Sequence, residues 1–137
     1  MKALTIGKVA NRAGIGIETV RFYEREGLIA EPPRDESSGY RRYPEDTVSR
    51  LRFVKKAKEL GFSLKEIGEL LSLKARPSGS CADVRARATD KIENINQKIE
   101  VLEAMRGALM GLVEECSGTG PRTECPILNA LDAGEEL

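Results

Sequence analysis

The sequence predicts a mainly α-helical protein: a head of short helices, one long helix, and a loop with a short C-terminal helix. Three observations lead to this prediction. Of the 137 residues, 32% are charged and only 4% are aromatic, a composition that favours helices over a β-sandwich. Apolar residues recur at steps of three and four along most of the chain, which is the helical period. Residues 81–116 contain no proline, so one continuous helix can span them.

Bulk properties limit the location and the partners. The chain has no apolar run near 18 residues and no apolar segment directly after Met1, so we expect a cytoplasmic protein with no membrane segment. Residues 1–60 carry 13 Lys and Arg against 9 Asp and Glu, a net charge of +4. Residues 61–137 carry 9 against 13, a net charge of −4. The basic half therefore suits a polyanion.

Two short helices are predicted at the N-terminus. In LTIGKVANRAG the apolar residues have helical spacing, and Gly14 is a natural end. The second helix follows in ETVRFYEREGL, with Val20 and Tyr23 facing inward, Phe22 as a further core candidate, and Gly27 at its end. Two short helices joined by a tight turn are typical of a helix-turn-helix, although any αα-hairpin gives the same pattern.

The next segment, IAEPPRDESSGYRRY, predicts a short extended hairpin, because it is rich in Pro, Asp, Ser and Gly. Its end combines Arg41 and Arg42 with Tyr40 and Tyr43. Guanidinium groups pair with phosphate oxygens, and tyrosine hydroxyls add neutral hydrogen bonds. The hairpin therefore suits phosphate binding, with a solvated surface loop as the alternative.

Two further helices complete the head, which we place at residues 1–75. The third helix begins at Pro44, a residue favoured in the first helical turn. The fourth begins at a capping box formed by Ser63 and Glu66. A break at residues 77–79 then separates the head from the long helix.

The long helix, at residues 80–115, is predicted to form a homodimer. Its apolar residues follow the spacing of a coiled-coil seam: Val84, Ala88, Ile92, Ile95, Ile99, Leu102, Met105 or Leu109, Leu112 and Val113. A rod with one apolar stripe has too little of its own chain to pack against, so a second copy is expected to cover it. The alternative is that part of it folds back on the third and fourth helices. Residues 116–137 hold a loop, a short helix that begins at Pro126, and a tail expected to be disordered.

Cys81, Cys116 and Cys125 are candidate metal ligands. Thiolates select soft ions, whereas a closed zinc site uses four ligands. The chain has three cysteines and no histidine, so a fourth zinc ligand would have to be water or a carboxylate such as Glu115 or Glu124. Three thiolates suit a soft ion of low coordination number, and Hg(II) is the softest common candidate when the softness order is extended to it.

This site requires two chains. The helix between Cys81 and Cys116 separates them by about 50 Å within one protomer. In an antiparallel dimer, Cys81 of one protomer meets the partner's Cys116 and the partner's Cys125. Cys81 and Cys125 are both expected at helix N-termini, where the dipole favours a thiolate. Inert buried cysteines, a thiol redox switch and a disulfide staple are the alternatives.

Three stretches of the head, LTIGKVANRAGIGIETVRFYEREGLI, GYRRY and VSRLRFVKKAKELGFSLKEIGELL, together resemble the winged-helix DNA-binding head of the MerR family of transcriptional regulators. The long helix and the cysteine loop extend the resemblance over nearly the whole chain. Cys81 at the start of the long helix, and Cys116 and Cys125 in a Cys-x8-Cys loop before Pro126, are most similar to the mercuric-resistance branch of that family.

The resemblance implies an N-terminal winged helix-turn-helix DNA-binding head, a long antiparallel coiled-coil dimerisation helix, and a C-terminal metal-binding loop. It implies a dimer on double-stranded promoter DNA, with the second helix in the major groove and RNA polymerase as a partner. The resemblance further implies that the dimer represses when metal-free, and that it activates by distorting the DNA when three thiolates hold Hg(II) across the interface. The candidate DNA contacts are Arg12, Thr19, Arg21, Tyr23, Tyr40, Arg41, Arg42, Tyr43 and Lys58.

Two other readings remain: a regulator of the same family that senses Pb(II), Cd(II) or Zn(II), and a thiol redox sensor on the same head. An enzyme is not expected, because the sequence has no CxxC motif, no histidine base and no nucleotide-binding loop.

Overall fold

The computed structural model describes residues 4–76 and 78–134. In these ranges the regular secondary structure is helical. Two isolated β-bridges are present, and no strand within these ranges extends beyond a single bridge. The mainly α-helical fold class is therefore confirmed. The helices are α1 (Ile6–Ala13), α2 (Ile17–Arg25), α3 (Asp46–Glu59), α4 (Leu64–Ala75), α5 (Cys81–Glu115) and α6 (Pro126–Ala133). None of the described helices is long and apolar enough to cross a membrane.

α1 and α2 are the predicted pair of short helices. Thr5 caps α1, since its side-chain oxygen accepts a hydrogen bond from the Lys8 backbone N–H at 3.3 Å. Gly14 ends α1 with φ 73°, a left-handed conformation that glycine adopts without strain. The inward faces of the two helices are buried and comprise Val9, Ala10, Ala13, Val20 and Tyr23.

Two local expectations differ from the structure. Phe22 is 37% exposed rather than in the core, because Val20 and Tyr23 define the buried face and Phe22 lies about 100° around the helix from Tyr23. α3 begins at Asp46, two residues after the predicted start. The carbonyl of Pro44 instead accepts from the Thr47 N–H at 3.1 Å, so the proline forms a turn before the helix.

The predicted capping box at the start of α4 is confirmed. The Ser63 hydroxyl accepts from the Glu66 N–H at 3.2 Å, and the Glu66 carboxylate accepts from the Ser63 N–H at 2.8 Å. α1 to α4 enclose a core whose most buried side chains are Val9, Val20, Tyr43, Leu51, Val54 and Ile67.

The segment between α2 and α3, residues 26–45, contains the predicted hairpin, which we call the wing. Arg34 and Arg41 form an antiparallel bridge across it. A second bridge joins Leu4 to Tyr43, with N···O distances of 2.7 Å in both directions. The base of the wing is therefore fixed to the chain just before α1.

α5 is continuous over 35 residues, as the absence of proline predicts. Most of its large apolar side chains are between 39% and 62% exposed in a single chain: Val84, Ile92, Ile95, Ile99, Leu102, Met105, Leu109 and Val113. Leu112, in contrast, is buried.

The described chain divides into two compact units, Met1–Arg87 and Ala88–Leu137, whereas the sequence predicted that the head ends at residue 75. Within the first unit, the Arg87 guanidinium pairs with the Glu69 carboxylate of α4, so the start of α5 contacts the head. Pro77, part of the predicted break, lies outside the described residues.

α6 begins at Pro126, as predicted, but it continues to Ala133 and ends at Gly134 with φ 65°. The expectation of a disordered tail is therefore wrong for residues 132–134, and residues 135–137 lie outside the described part.

Candidate nucleic-acid interface and thiol site

A cleft lies between α2 and the wing, with a volume of about 180 Å³. It is lined by Thr5, Ile6, Arg21, Glu24, Arg34, Tyr40, Arg41 and Tyr43. Three of these residues are arginines and one is a carboxylate, so the cleft is cationic. The N-terminus of α1 also faces it through Thr5 and Ile6, which adds positive potential. A phosphate-bearing ligand suits such a surface.

Contacts from α3 hold the C-terminal end of α1, the helix before the turn into α2. Arg52 donates to the carbonyl of Arg12 at 2.9 Å, and Lys55 donates to the carbonyl of Gly14 at 3.0 Å. Cations are favourable at this C-terminal end of α1. α3 therefore holds the C-terminal end of α1, directly before the turn that leads into α2.

The wing places most of its polar side chains at the surface. Tyr40 is 69% exposed, and Arg42 is exposed with its Nε 3.6 Å from the Asp35 carboxylate. Arg41 is half-buried because it pairs with Glu31 and donates to the carbonyl of Pro32 at 3.0 Å. These contacts preset the directions of the wing arginines before any ligand binds.

Arg21 is exposed on α2, as a DNA-reading role requires, whereas Thr19 is half-buried. Arg21 pairs with Glu18 at 3.1 Å. Arg12 and Lys58 are also exposed, but neither lines the cleft. Arg12 instead lies 3.9 Å from the Glu45 carboxylate.

Tyr23 and Tyr43 are buried, at 7% and 1% exposure, which argues against the expectation that they contact DNA. Tyr23 is three residues after Val20 and shares its inward face. Side chains alternate along an extended segment, so Arg42 faces outward and Tyr43 inward. We therefore leave both tyrosines out of the proposed set of DNA contacts.

Arg34 is a cleft residue that the sequence did not single out. It is exposed, lines the cleft, and donates to the Gly39 carbonyl at 3.2 Å. It forms a bridge with Arg41 across the hairpin, and cross-strand partners share a face of a hairpin, but the sequence alone does not show this pairing.

The loop between α5 and α6 brings the Cys116 and Cys125 side chains within interaction distance of each other. Cys116 directly follows the last residue of α5, and Cys125 is the N-cap of α6. Gly118 and Gly120 have φ values of 77° and 94°, which lets the chain reverse within a few residues. Both thiols are half-buried and free.

The N-terminus of α6 favours the Cys125 thiolate. A hydrogen bond from the Leu128 backbone N–H has the largest effect, and it lowers the pKa of Cys125. Desolvation raises this pKa by less than the Leu128 contact lowers it, and the Ile127 N–H and the Cys116 side chain lower it further. A thiolate is the form that binds metals.

Cys81, the third candidate ligand, is the first residue of α5, and it is exposed and free. Among the described residues of a single chain, no three Cys, Asp or Glu side chains come together as a metal site. One chain thus brings together two of the three predicted ligands. The donors that it offers, two adjacent thiols and no histidine, fit a soft metal ion better than zinc.

Comparison with known proteins gives two family matches. Residues 4–74 match the profile described as MerR HTH family regulatory protein, and residues 48–112 match the profile described as MerR, DNA binding. A mercuric resistance operon regulatory protein of Bacillus cereus is 45% identical over 126 residues, which covers 92% of this chain and 95% of that protein.

Two solved structures are also similar. A transcription regulator from Ralstonia metallidurans in complex with lead(II) is 37% identical, with a TM-score of 0.83. A dual-function transcriptional regulator MerR from Bacillus megaterium in complex with mercury(II) is 41% identical, with a TM-score of 0.70. Each comparison covers 93% of this chain and 98% of the other.

Proposed function

The chain belongs to the MerR family of DNA-binding transcriptional regulators, and from this premise we propose that it is a Hg(II)-responsive regulator of a mercury-resistance operon. It is a regulator and not an enzyme, in keeping with its family. In the proposal it binds a promoter operator as a homodimer, represses transcription when metal-free, and activates when Hg(II) is bound. Promoter DNA and RNA polymerase are its partners, which places its action in the cytoplasm.

The contact between Cys116 and Cys125 is the observation that carries the proposal. The loop brings these two thiols together, and the N-terminus of α6 favours the Cys125 thiolate. The chain has no histidine, so its soft donors are the thiols, and sulfur ligands select soft ions. The relatives named as mercuric resistance regulators support the same metal.

The third thiolate is proposed to come from the second protomer. α5 begins at Cys81 and ends directly before Cys116, so a whole helix stands between these two residues within one chain. The exposed apolar stripe of α5 supports a pairing of two such helices, and an antiparallel direction is the one that brings the start of one helix to the end of the other. Cys81 of one protomer then completes the site with the partner's Cys116 and the partner's Cys125, which gives two sites per dimer.

Residues of the head bind the operator. α2 is proposed to enter the major groove with Thr19 and Arg21 toward the bases. The wing lies on the adjacent backbone through Arg34, Tyr40 and Arg42. Arg41 contributes charge from its half-buried position, and Arg12 and Lys58 are further phosphate contacts.

Coordination by thiolates of both protomers ties the positions of the two heads to the presence of the metal. Bending an operator of 20–30 base pairs costs of order 1–6 kcal/mol, and metal coordination supplies the free energy against that cost. The head residues then hold the duplex in the distorted form that RNA polymerase can use.

The proposal is tested by measuring transcription from a promoter fragment that the wild-type protein selects from genomic DNA. We expect activation by Hg(II) at concentrations where Pb(II), Cd(II), Zn(II) and hydrogen peroxide are inactive, and loss of activation in Cys116→Ser and Cys125→Ser. Activation by peroxide in the absence of metal would favour a thiol redox sensor. A stronger response to Pb(II) than to Hg(II) would reassign the metal. Pb(II) stays a candidate because the chain is similar to the lead(II)-bound regulator.

A further inference from the structure

A hydrogen bond joins the wing to α2 at the wall of the cationic cleft. The Tyr43 hydroxyl donates to the Glu24 carboxylate. Tyr43 is held at the base of the wing by its two backbone hydrogen bonds to Leu4. Glu24 lies in the last turn of α2. One side-chain contact thus connects the two parts of the proposed DNA-binding surface.

The donor in this contact is fixed. Tyr43 is 1% exposed, and desolvation together with the Glu24 carboxylate raises the pKa of its phenol. The hydroxyl therefore stays protonated at physiological pH and donates to an ionised acceptor. Hydrogen bonds of this kind are stronger than those between neutral groups.

Glu24 is unfavourable for DNA binding by charge alone. It is the one carboxylate among the residues that line the cleft, beside Arg21, Arg34 and Arg41. A negative charge there lowers the potential that attracts phosphate. Its hydrogen bond with Tyr43, which joins α2 to the wing, offsets this loss of positive potential.

We propose that Tyr43 and Glu24 are positioning residues for DNA binding. Their hydrogen bond sets the spacing between Arg21 on α2 and the side chains of the wing, so that both parts reach one duplex together. A surface ordered before binding loses less conformational entropy when the complex forms. The inference rests on the DNA-binding part of the proposed function and is independent of the metal.

Four variants separate positioning from charge. Tyr43→Phe keeps the buried ring and removes the hydroxyl, and Glu24→Ala removes the acceptor. Glu24→Gln removes the charge but keeps an oxygen that accepts. Glu26→Ala is the matched control, because Glu26 is an exposed carboxylate at the C-cap of the same helix and does not line the cleft.

The measurement is the affinity of the metal-free protein for a genomic DNA fragment selected by the wild type, together with thermal unfolding. Tyr43→Phe and Glu24→Ala should each weaken binding about tenfold. The double variant should be no weaker than either single variant, because both remove the same bond. Glu24→Gln should retain most of the affinity, and Glu26→Ala should bind as the wild type does or slightly more tightly.

Tighter binding by Glu24→Ala would overturn the inference, since it would show that the charge dominates. Unchanged affinity in Tyr43→Phe with a lowered unfolding midpoint would also overturn it, because the bond would then be only structural. A wild type that selects no DNA would end the proposed function and this inference together. A wild type that binds DNA without responding to Hg(II) would reject only the mercury assignment, and the variants would still decide the inference.

Discussion

Replacing Ile99 with serine should weaken the proposed dimer by about thirtyfold. Ile99 is 46% exposed in a single chain, so roughly half of its surface is left for a partner to cover. Full burial of an isoleucine side chain is worth about 1.5–3 kcal/mol, so the uncovered half contributes about 1 kcal/mol. In a symmetric dimer both copies lose this contact, and the total of about 2 kcal/mol corresponds to a factor of about thirty in the dissociation constant.

Sedimentation equilibrium of the metal-free protein over a concentration series measures this constant. Asp90→Ser is the matched control, because residue 90 is exposed and nine residues from Ile99, which places it about 180° around α5. Serine and isoleucine have similar helix propensities, so both variants keep the helix. Equal dimerisation of Ile99→Ser and Asp90→Ser would refute the assignment of the apolar stripe to the dimer interface.

Three further predictions concern the head. Gly14→Ala should lower the unfolding midpoint, because φ 73° costs an alanine about 1–2 kcal/mol and its Cβ would lie 3.0 Å from the Lys55 amino group. Gly7→Ala should raise the midpoint, because the new methyl group would lie in open space within α1. Arg34→Ala should weaken DNA binding and reduce the slope of log affinity against log salt by about 1 if Arg34 contacts a phosphate; an unchanged slope would exclude that contact. The raised pKa of Tyr43 means that the unfolded chain loses this proton first, so stability should fall as the pH rises above 10. Tyr43→Phe should show a smaller fall in alkaline unfolding, and an equal fall would show that Tyr43 is not its source.

Much of the fold was predictable because its determinants are local. The period of the apolar residues located the helices, and the Ser63–Glu66 capping box marked the start of α4 in the sequence. The length of α5 followed from the absence of proline. Glycine and proline between Cys116 and Cys125 indicated a loop in which the two thiols converge, and the structure brings them together.

The features that were missed depend on contacts between distant parts of the chain. Tyrosine has an apolar ring and a polar hydroxyl, so the order Tyr-Arg-Arg-Tyr did not reveal which tyrosine faces the core. The pairing of Tyr43 with Leu4, 39 positions away, decides that orientation. The Arg87–Glu69 pair likewise joins the start of α5 to α4, and no local pattern marks such a contact.

The metal site itself remains a prediction, because its proposed ligands belong to two chains. The most direct test uses a mixed dimer of Cys81→Ser and Cys116→Ser protomers, purified through two different tags. The number of Hg(II) ions bound per dimer is measured in the presence of a competing thiol. The Cys81→Ser chain supplies Cys116 and Cys125 to one site, and the other chain completes that site with its Cys81, while the second site lacks two thiolates. We predict two Hg(II) per wild-type dimer, one per mixed dimer and none at the same competing thiol concentration for either variant homodimer. A mixed dimer that binds no Hg(II) would contradict the three-thiolate site across the interface.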